Sequence, residues 1–303
     1  MKVFNNLKKK NSLEMVKYKK RLNLNINDYK EYCETYSSIE IELVPVKDEF
    51  GKFININEED KLYIHIYFNN NKEEIKRNYL DENDKVNKIN IIIDYKVESF
   101  YELFRDCVCI ESIYFKKFYR NNINNMNGMF AGCSSLKEIN LSNCNTNNVI
   151  DMSYMFYGCS SLKEINLSNF NTYKVTGMSG MFYGCSSLNQ IYLYNFNTNN
   201  VTHMNGMFFE CSSLQEINLS NFNTNKVTEI SYMFYGCSSL KEINLSNFNT
   251  NKVIDMSDMF NGCSSLKEIN ISSFNTYNVN DMRFMFFGCS VEIMKKVMDQ
   301  IKK

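Results

Sequence analysis

Two histidines in 303 residues, His65 and His203, leave little for imidazole chemistry, and neither sits in a recognisable motif. There is no C-x-x-C pair, no Gly-rich phosphate loop and no H-E-x-x-H, so zinc-finger, nucleotide-binding and metalloprotease signatures are all missing. Trp is absent and Pro occurs once, while Asn and Lys abound, a composition that points to an AT-rich genome more than to a selected chemistry. Formal net charge is zero, so no global field favours nucleic acid or a membrane surface. The longest apolar run, at 89–93, is far too short to span a bilayer. The basic start MKVFNNLKKKNSLEMV lacks an apolar core, so no signal peptide is expected.

What the chain has instead is repetition. MFYGCSSLKEINLSNFNT occupies 155–172 and recurs letter for letter at 233–250. Cys107, Cys133, Cys159, Cys185, Cys211, Cys237, Cys263 and Cys289 fall on one 26-residue grid. Further columns keep that period: Leu136 to Leu266, Ile139 to Ile269, Leu141 to Ile271, Phe170 to Phe274 with Cys144 in its first place, and Val149 to Val279. Two Met columns, as in Met152 and Met155, close on Phe156. A fixed period in the twenties implies a solenoid, each repeat one coil stacked on its neighbours.

Within a coil, Ile139-x-Leu141 alternates, which predicts a short parallel strand over 138–142 with Ile139 and Leu141 inward. Val149, Met152, Met155 and Phe156 recur at helical spacing and predict a helical turn or short helix with one buried stripe. The Gly column that follows, Gly158 among others, fits a left-handed stop. The fold class expected is therefore an α/β repeat, one short parallel strand plus a helical turn per 26-residue coil. About eight coils over 97–289 would make a rod roughly 40 Å long. One coil cannot bury enough apolar surface to offset its own ordering, so stacking must supply the rest. The verbatim repeat is accounted for by packing or recent duplication before any ligand is invoked.

L-x-x-I-x-L followed by V-x-x-M-x-x-M-F-x-G-C resembles the BspA-like leucine-rich repeats, a variant first noted in mycoplasma lipoproteins and other surface proteins. The match covers about 97–289 and seven coils agree. The resemblance implies a leucine-rich-repeat-like solenoid with a binding rather than catalytic role, and many relatives are surface proteins implicated in adhesion. The Asn of ordinary leucine-rich repeats is replaced here by the Phe column, as in BspA-like repeats.

Upstream the grid continues in degraded form through Val97, Phe100, Leu103, Phe104, Cys107, Ile110, Ile113 and Phe115, and Val86, Ile89 and Ile91 have the pattern of a founding strand. Strand-like stretches at 39–46, 52–56 and 62–68 and a helix near 72–80 predict an α+β cap over 38–96 that covers the open edge. A basic segment, 1–37, precedes it, with eight Lys/Arg against one acidic residue in the first 21; it reads as a solvated helix face or a disordered tail, with a nuclear signal or an anionic-membrane contact as alternatives. At the other end, 290–303 reads as an amphipathic capping helix with Val291, Met294, Val297, Met298 and Ile301 on one face, a partner-docking helix being the alternative.

Cysteines spaced 26 apart form a line, whereas a metal needs ligands converging on a point. The column is expected to be buried free thiols, with disulfides between neighbours and a metal or redox role as alternatives. Unpaired thiols favour a reducing compartment. The sequons at Asn140, Asn166, Asn218, Asn244 and Asn270 would crowd glycans on adjacent strands, which also favours an intracellular location, or else a host without such glycosylation.

Most candidate catalytic residues occur in rows of six, which argues against an enzyme and against any cofactor. A repeat array binds through the face its strands present, and specificity comes from departures from consensus. One coil collects them. Lys, Glu, Asn and Ser of the common strand become Asn189, Gln190, Tyr192 and Tyr194, which interrupts the acidic row with two exposed tyrosines. His203 stands where Asp is commonest, and Phe209 and Glu210 replace Tyr and Gly. Unconstrained drift of the array is the alternative origin of these changes. The function expected is a monomeric, non-enzymatic scaffold for a protein partner, with a surface adhesin as the second reading.

Overall fold

The computed structural model describes residues 37–301. The basic segment expected at 1–37 lies outside them but for its last residue. Eleven strands and one helix make up the regular structure of the described residues. Strands β1 (Ile39–Pro45), β3 (Ile64–Phe68) and β5 (Ile89–Ile93) alternate buried and half-buried positions, as apolar residues at every second place dictate. β2 (Gly51–Lys52) and β4 (Tyr79–Leu80) pair with each other at the side.

The first strand of the array is β6 (Ile110–Lys117), which pairs antiparallel with β1 and parallel with β7 (Glu138–Asn140). One sheet in the order β3-β5-β1-β6-β7 thus joins cap and coils, so the first coil has no open strand edge. This corrects the expected founding strand. Ile89 and Ile91 belong to β5, which is sandwiched between β3 and β1 and never meets a coil. The helix expected at 72–80 is also absent: Ile75 bridges Ile66, and Tyr79 and Leu80 pair with Lys52 and Gly51. Ile75 and Leu80 lie five apart, out of step with a helical stripe, and tertiary pairing overrides a weak local preference. Described residues of the cap hold one 3-10 turn, Lys61–Tyr63, and no α-helix.

Later coils carry strands β8 (Glu164–Asn166), β9 (Gln190–Tyr192), β10 (Glu242–Asn244) and β11 (Glu268–Asn270), with β8 parallel to β9 and β10 parallel to β11 in register 26 residues apart. Opposite the strands runs a second, uninterrupted seam of parallel bridges: Ser99, Asn125, Asp151, Gly177, His203, Glu229, Asp255 and Asp281. Here the expected helical turn is corrected. The segment is a chain of β-turns in which alternate N–H groups leave the coil: Met152, Tyr154, Phe156 and Gly158 donate to the carbonyls of Gly177, Ser179, Met181 and Tyr183. The N–H groups of Met155, Tyr157 and Cys159 close turns onto Met152, Tyr154 and Phe156. Tyr154 (φ 57°) and Gly158 (φ 67°) stand in the left-handed region, which two such turns need at their third residue and a right-handed helix forbids. The same four coil-to-coil bonds recur at each of the seven junctions from the first coil to the last.

Inside, the grid columns are buried or half-buried in all but the last coil, where Met282 is exposed. Phe104, Phe130, Phe156, Phe182, Phe208, Phe234, Phe260 and Phe286 form one continuous stack with centroids 5.3–5.7 Å apart. Buried threonines tie the corners: Thr172 Oγ1 donates to the carbonyl of Asn197 (2.9 Å) and accepts from its N–H (2.7 Å), and the pattern repeats along the column. The ten described cysteines are free and buried. From Cys133 to Cys289 each grid thiol donates to a Phe carbonyl of the preceding coil, 2.9–3.2 Å away, as Cys185 does to Phe156. Burial drives these thiols up, Cys185 and Cys237 to about 12.

Helix α1 (Val291–Ile301) closes the strand half of the last coil. It buries Ile293 and Val297, while Val291 and Met298 face outward. The buried stripe is therefore rotated from the expected one, because Gln300 Oε1 turns inward to accept the N–H of Ile271 (2.8 Å) and Lys296 Nζ reaches the carbonyl of Lys267 (3.1 Å). The side chain of Ile301, also assigned to that stripe, lies outside the described residues.

Candidate functional site

Across the strand faces of four successive coils lies a groove of about 710 Å³. It begins at Asn189, Gln190, Tyr192 and Tyr194 and continues over Glu216–Ser220, Glu242–Asn244 with Ser246 and Asn247, and Glu268–Asn270 as three coils of consensus sequence. The strand sets the side-chain directions: Leu193 points inward and is buried, so Tyr192 and Tyr194 flank it toward the groove, Tyr194 at 63% exposure. Their rings meet at 5.9 Å, tilted by 40°, and Tyr192 Oη lies 3.4 Å from Gln190 Oε1.

The tyrosines displace a local hydrogen-bond motif. In consensus coils the Asn side chain accepts the N–H of the Ser two residues on, as Asn166 does from Ser168 (3.0 Å) and Asn244 from Ser246 (3.0 Å). Tyr194 instead presents an exposed ring with its backbone carbonyl capped by Asn221 of the next coil at 3.4 Å. Beyond this coil the groove floor is acidic. Glu216, Glu242 and Glu268 follow one another at coil spacing, and Glu242 and Glu268 are direct cross-strand neighbours. Lys296 from α1 meets Glu268 at 2.9 Å, and its own pKa rises through Glu268 and Glu292. Lys241 is turned away onto Gln215 (2.8 Å), so it does not neutralise the row.

Of the five residues the sequence singles out, the structure brings four together and separates the fifth. His203 lies on the bridge seam between Gly177 and Glu229, exposed, with Nδ1 2.9 Å from Thr202 Oγ1, and does not line the groove. Its period position puts it after the strand-to-seam turn, so it shares a coil but not a face with Tyr192.

Sequence reasoning missed a second surface feature. Tyr157, Tyr183, Phe209 and Tyr235 stack on the seam side with centroids 4.8, 4.0 and 4.5 Å apart, flanked by Tyr154 and Tyr232. Burial within the stack, and then the neighbouring phenols and Glu210, raise the Tyr183 pKa. The signal was available: the residue between the M-F and G-C positions is aromatic in coil after coil. Among the described residues no cluster of three His, Cys, Asp or Glu side chains could hold a metal ion, and no helix is long and apolar enough to cross a membrane.

Comparison with known proteins follows the repeat. Residues 98–217 and 203–296 match the model of a family described as "Mycoplasma protein of unknown function, DUF285". Among solved structures the chain is similar to a leucine-rich repeat protein from Bacteroides ovatus, at 20% identity and a TM-score of 0.27, over 63% of this chain and 67% of that one. No curated protein matches.

Proposed function

The chain belongs to the DUF285 family, a BspA-like repeat family, and from that premise we propose that it is a non-catalytic scaffold whose strand face binds an extended segment of a partner protein. One observation carries the reading: the groove runs across four coils and starts where the array departs from its consensus into Tyr192 and Tyr194. Two rigid aromatic side chains on a flat face supply contact area at low entropic cost, the usual composition of an interface anchor. The carboxylates of Glu216 and Glu242, with no ion pair among the described residues, select a partner segment that carries Lys or Arg beyond its apolar anchor. Free thiols sealed into the core and sequons crowded on the strands support a reducing, intracellular setting for that interaction.

The test is affinity capture under reducing conditions with the wild-type chain and with Tyr192→Asn/Tyr194→Ser. This double variant rebuilds the consensus side-chain bond and creates no cavity, so it keeps or slightly gains stability. A partner retained by the wild type and lost by the variant supports the groove. Equal recovery of the same partner by both moves the site elsewhere.

A further inference from the structure

The two ends of the coil stack are finished differently. At the first coil both halves are covered: β1 pairs with β6 on the strand side, and on the seam side Asn55 donates its N–H to the carbonyl of Leu103 (2.7 Å) and its Nδ2 to those of Glu102 (3.1 Å) and Arg105 (2.7 Å). At the last coil α1 covers the strand half alone. The seam half of that coil is more open than in inner coils: Met282 is 41% exposed where its counterpart Met256 is fully buried, and Phe284 and Phe287 are 61% and 66% exposed against 41–42% for Tyr232 and Tyr157 in the same columns.

The backbone is open as well. At every junction four alternate N–H groups donate to the next coil, the last such set being Met256, Asp258, Phe260 and Gly262 into the carbonyls of Asp281, Arg283, Met285 and Phe287. The corresponding donors of the last coil, the N–H groups of Met282, Phe284, Phe286 and Gly288, have no acceptor among the described residues, and the carbonyl of Asn280 ahead of them has no donor. We propose that this edge is a second docking surface, which takes up an extended polypeptide segment of a partner by adding it as one more rung to the seam.

The chemistry selects that occupant. A second copy set tail to tail would put four donors and one acceptor against the same set and leave most of the donors buried without partners. A second copy set head to tail would need the carbonyls of Leu103 and Arg105, which Asn55 already holds. What fits is backbone with carbonyls on alternate residues, carrying apolar side chains to pack over Phe284 and Phe287, the strand-addition mode of peptide recognition. The proposal is independent of the groove, which lies on the strand face of the coils and not on the seam.

The experiment uses the full chain and a capped synthetic peptide reproducing residues 280–289 with Cys289→Ser, whose parent segment already accepts the equivalent bonds from the coil before it. Amide-resolved NMR titration is expected to move the signals of Met282, Phe284, Phe286 and Gly288 and to leave the groove residues unmoved. Phe287→Asp, at an exposed site, is expected to keep the fold and weaken the peptide about tenfold. No change at these four amides at millimolar peptide, or a response unaffected by Phe287→Asp, overturns the proposal. So does concentration-dependent dimerisation of the chain that Phe287→Asp abolishes, which would assign the edge to a second copy.

Discussion

Replacing Thr198 by Val tests whether the corner threonines hold the coils together. Thr198 is 1% exposed, and its hydroxyl donates to the carbonyl of Asn223 (2.8 Å) and accepts from the same residue's N–H (2.7 Å). Valine keeps the shape and removes both bonds. Each lost bond costs about 1 kcal/mol net, and a backbone group left without a partner in a half-buried corner adds roughly another 1 kcal/mol. The sum expected is about 2–3 kcal/mol. Thr202→Val is the internal control, because its hydroxyl meets the carbonyl of Thr176 at 3.3 Å and His203 Nδ1 at 2.9 Å, both on the exposed surface where water can replace them, and a loss within about 0.5 kcal/mol is expected there. Urea unfolding followed by circular dichroism reads both, with an unchanged m-value confirming that the same unit unfolds. Equal midpoints for the two variants would refute the role given to the column.

Three further expectations concern burial and backbone. The native chain should leave its described thiols unreactive toward a water-soluble disulfide reagent; because burial raises Cys185 and Cys237 to about 12, stability is complete below the ordinary thiol pKa and falls as pH rises from about 9 toward 12, which alkaline unfolding curves will show. Gly180→Ala should cost more than Gly206→Ala, by about 1 kcal/mol or more, since both sit at positive φ but a methyl at 180 meets the Tyr154 ring at 2.5 Å while at 206 the nearest atom is 3.6 Å away; paired denaturation midpoints decide it. Arg120 is fully buried, bonded through Nη1 to the carbonyl of Val97 (3.1 Å), and burial lowers its pKa to about 10. Its Nε and Nη2 lack a partner among the described residues, so Arg120→Met should raise stability by about 1–3 kcal/mol, and a loss of that size would show that the guanidinium is satisfied after all.

The period, the inward columns and the strand positions were legible because each leaves a mark every 26 residues. The seam was not. Val149, Met152, Met155 and Phe156 have helical spacing, and the positive φ of Tyr154 is signalled only by its counterparts Gly128, Gly180 and Gly206; the turn chain is stabilised by bonds to the next coil, which a single-coil reading omits. In the cap, Ile89 and Ile91 match the repeat columns by chance, and their pairing with β1 and β3 is fixed by contacts distant in sequence. At the candidate site, period-2 alternation sufficed to place Tyr192 and Tyr194 on one face with Gln190, whereas His203 required knowing how the chain turns between its two faces. The half-buried aromatic row also recurs at the period, but Ala131 and Asn261 interrupt it, and an apolar column alone does not tell surface from core.

Site-specific photo-crosslinking tests the central claim most directly. Benzoylphenylalanine is placed at position 194, on the groove, and separately at position 173, where Tyr173 is also exposed but does not line it. The account predicts a partner adduct from 194 and none from 173. Adducts from 173 without any from 194 would contradict it, and would take the binding face away from the strands.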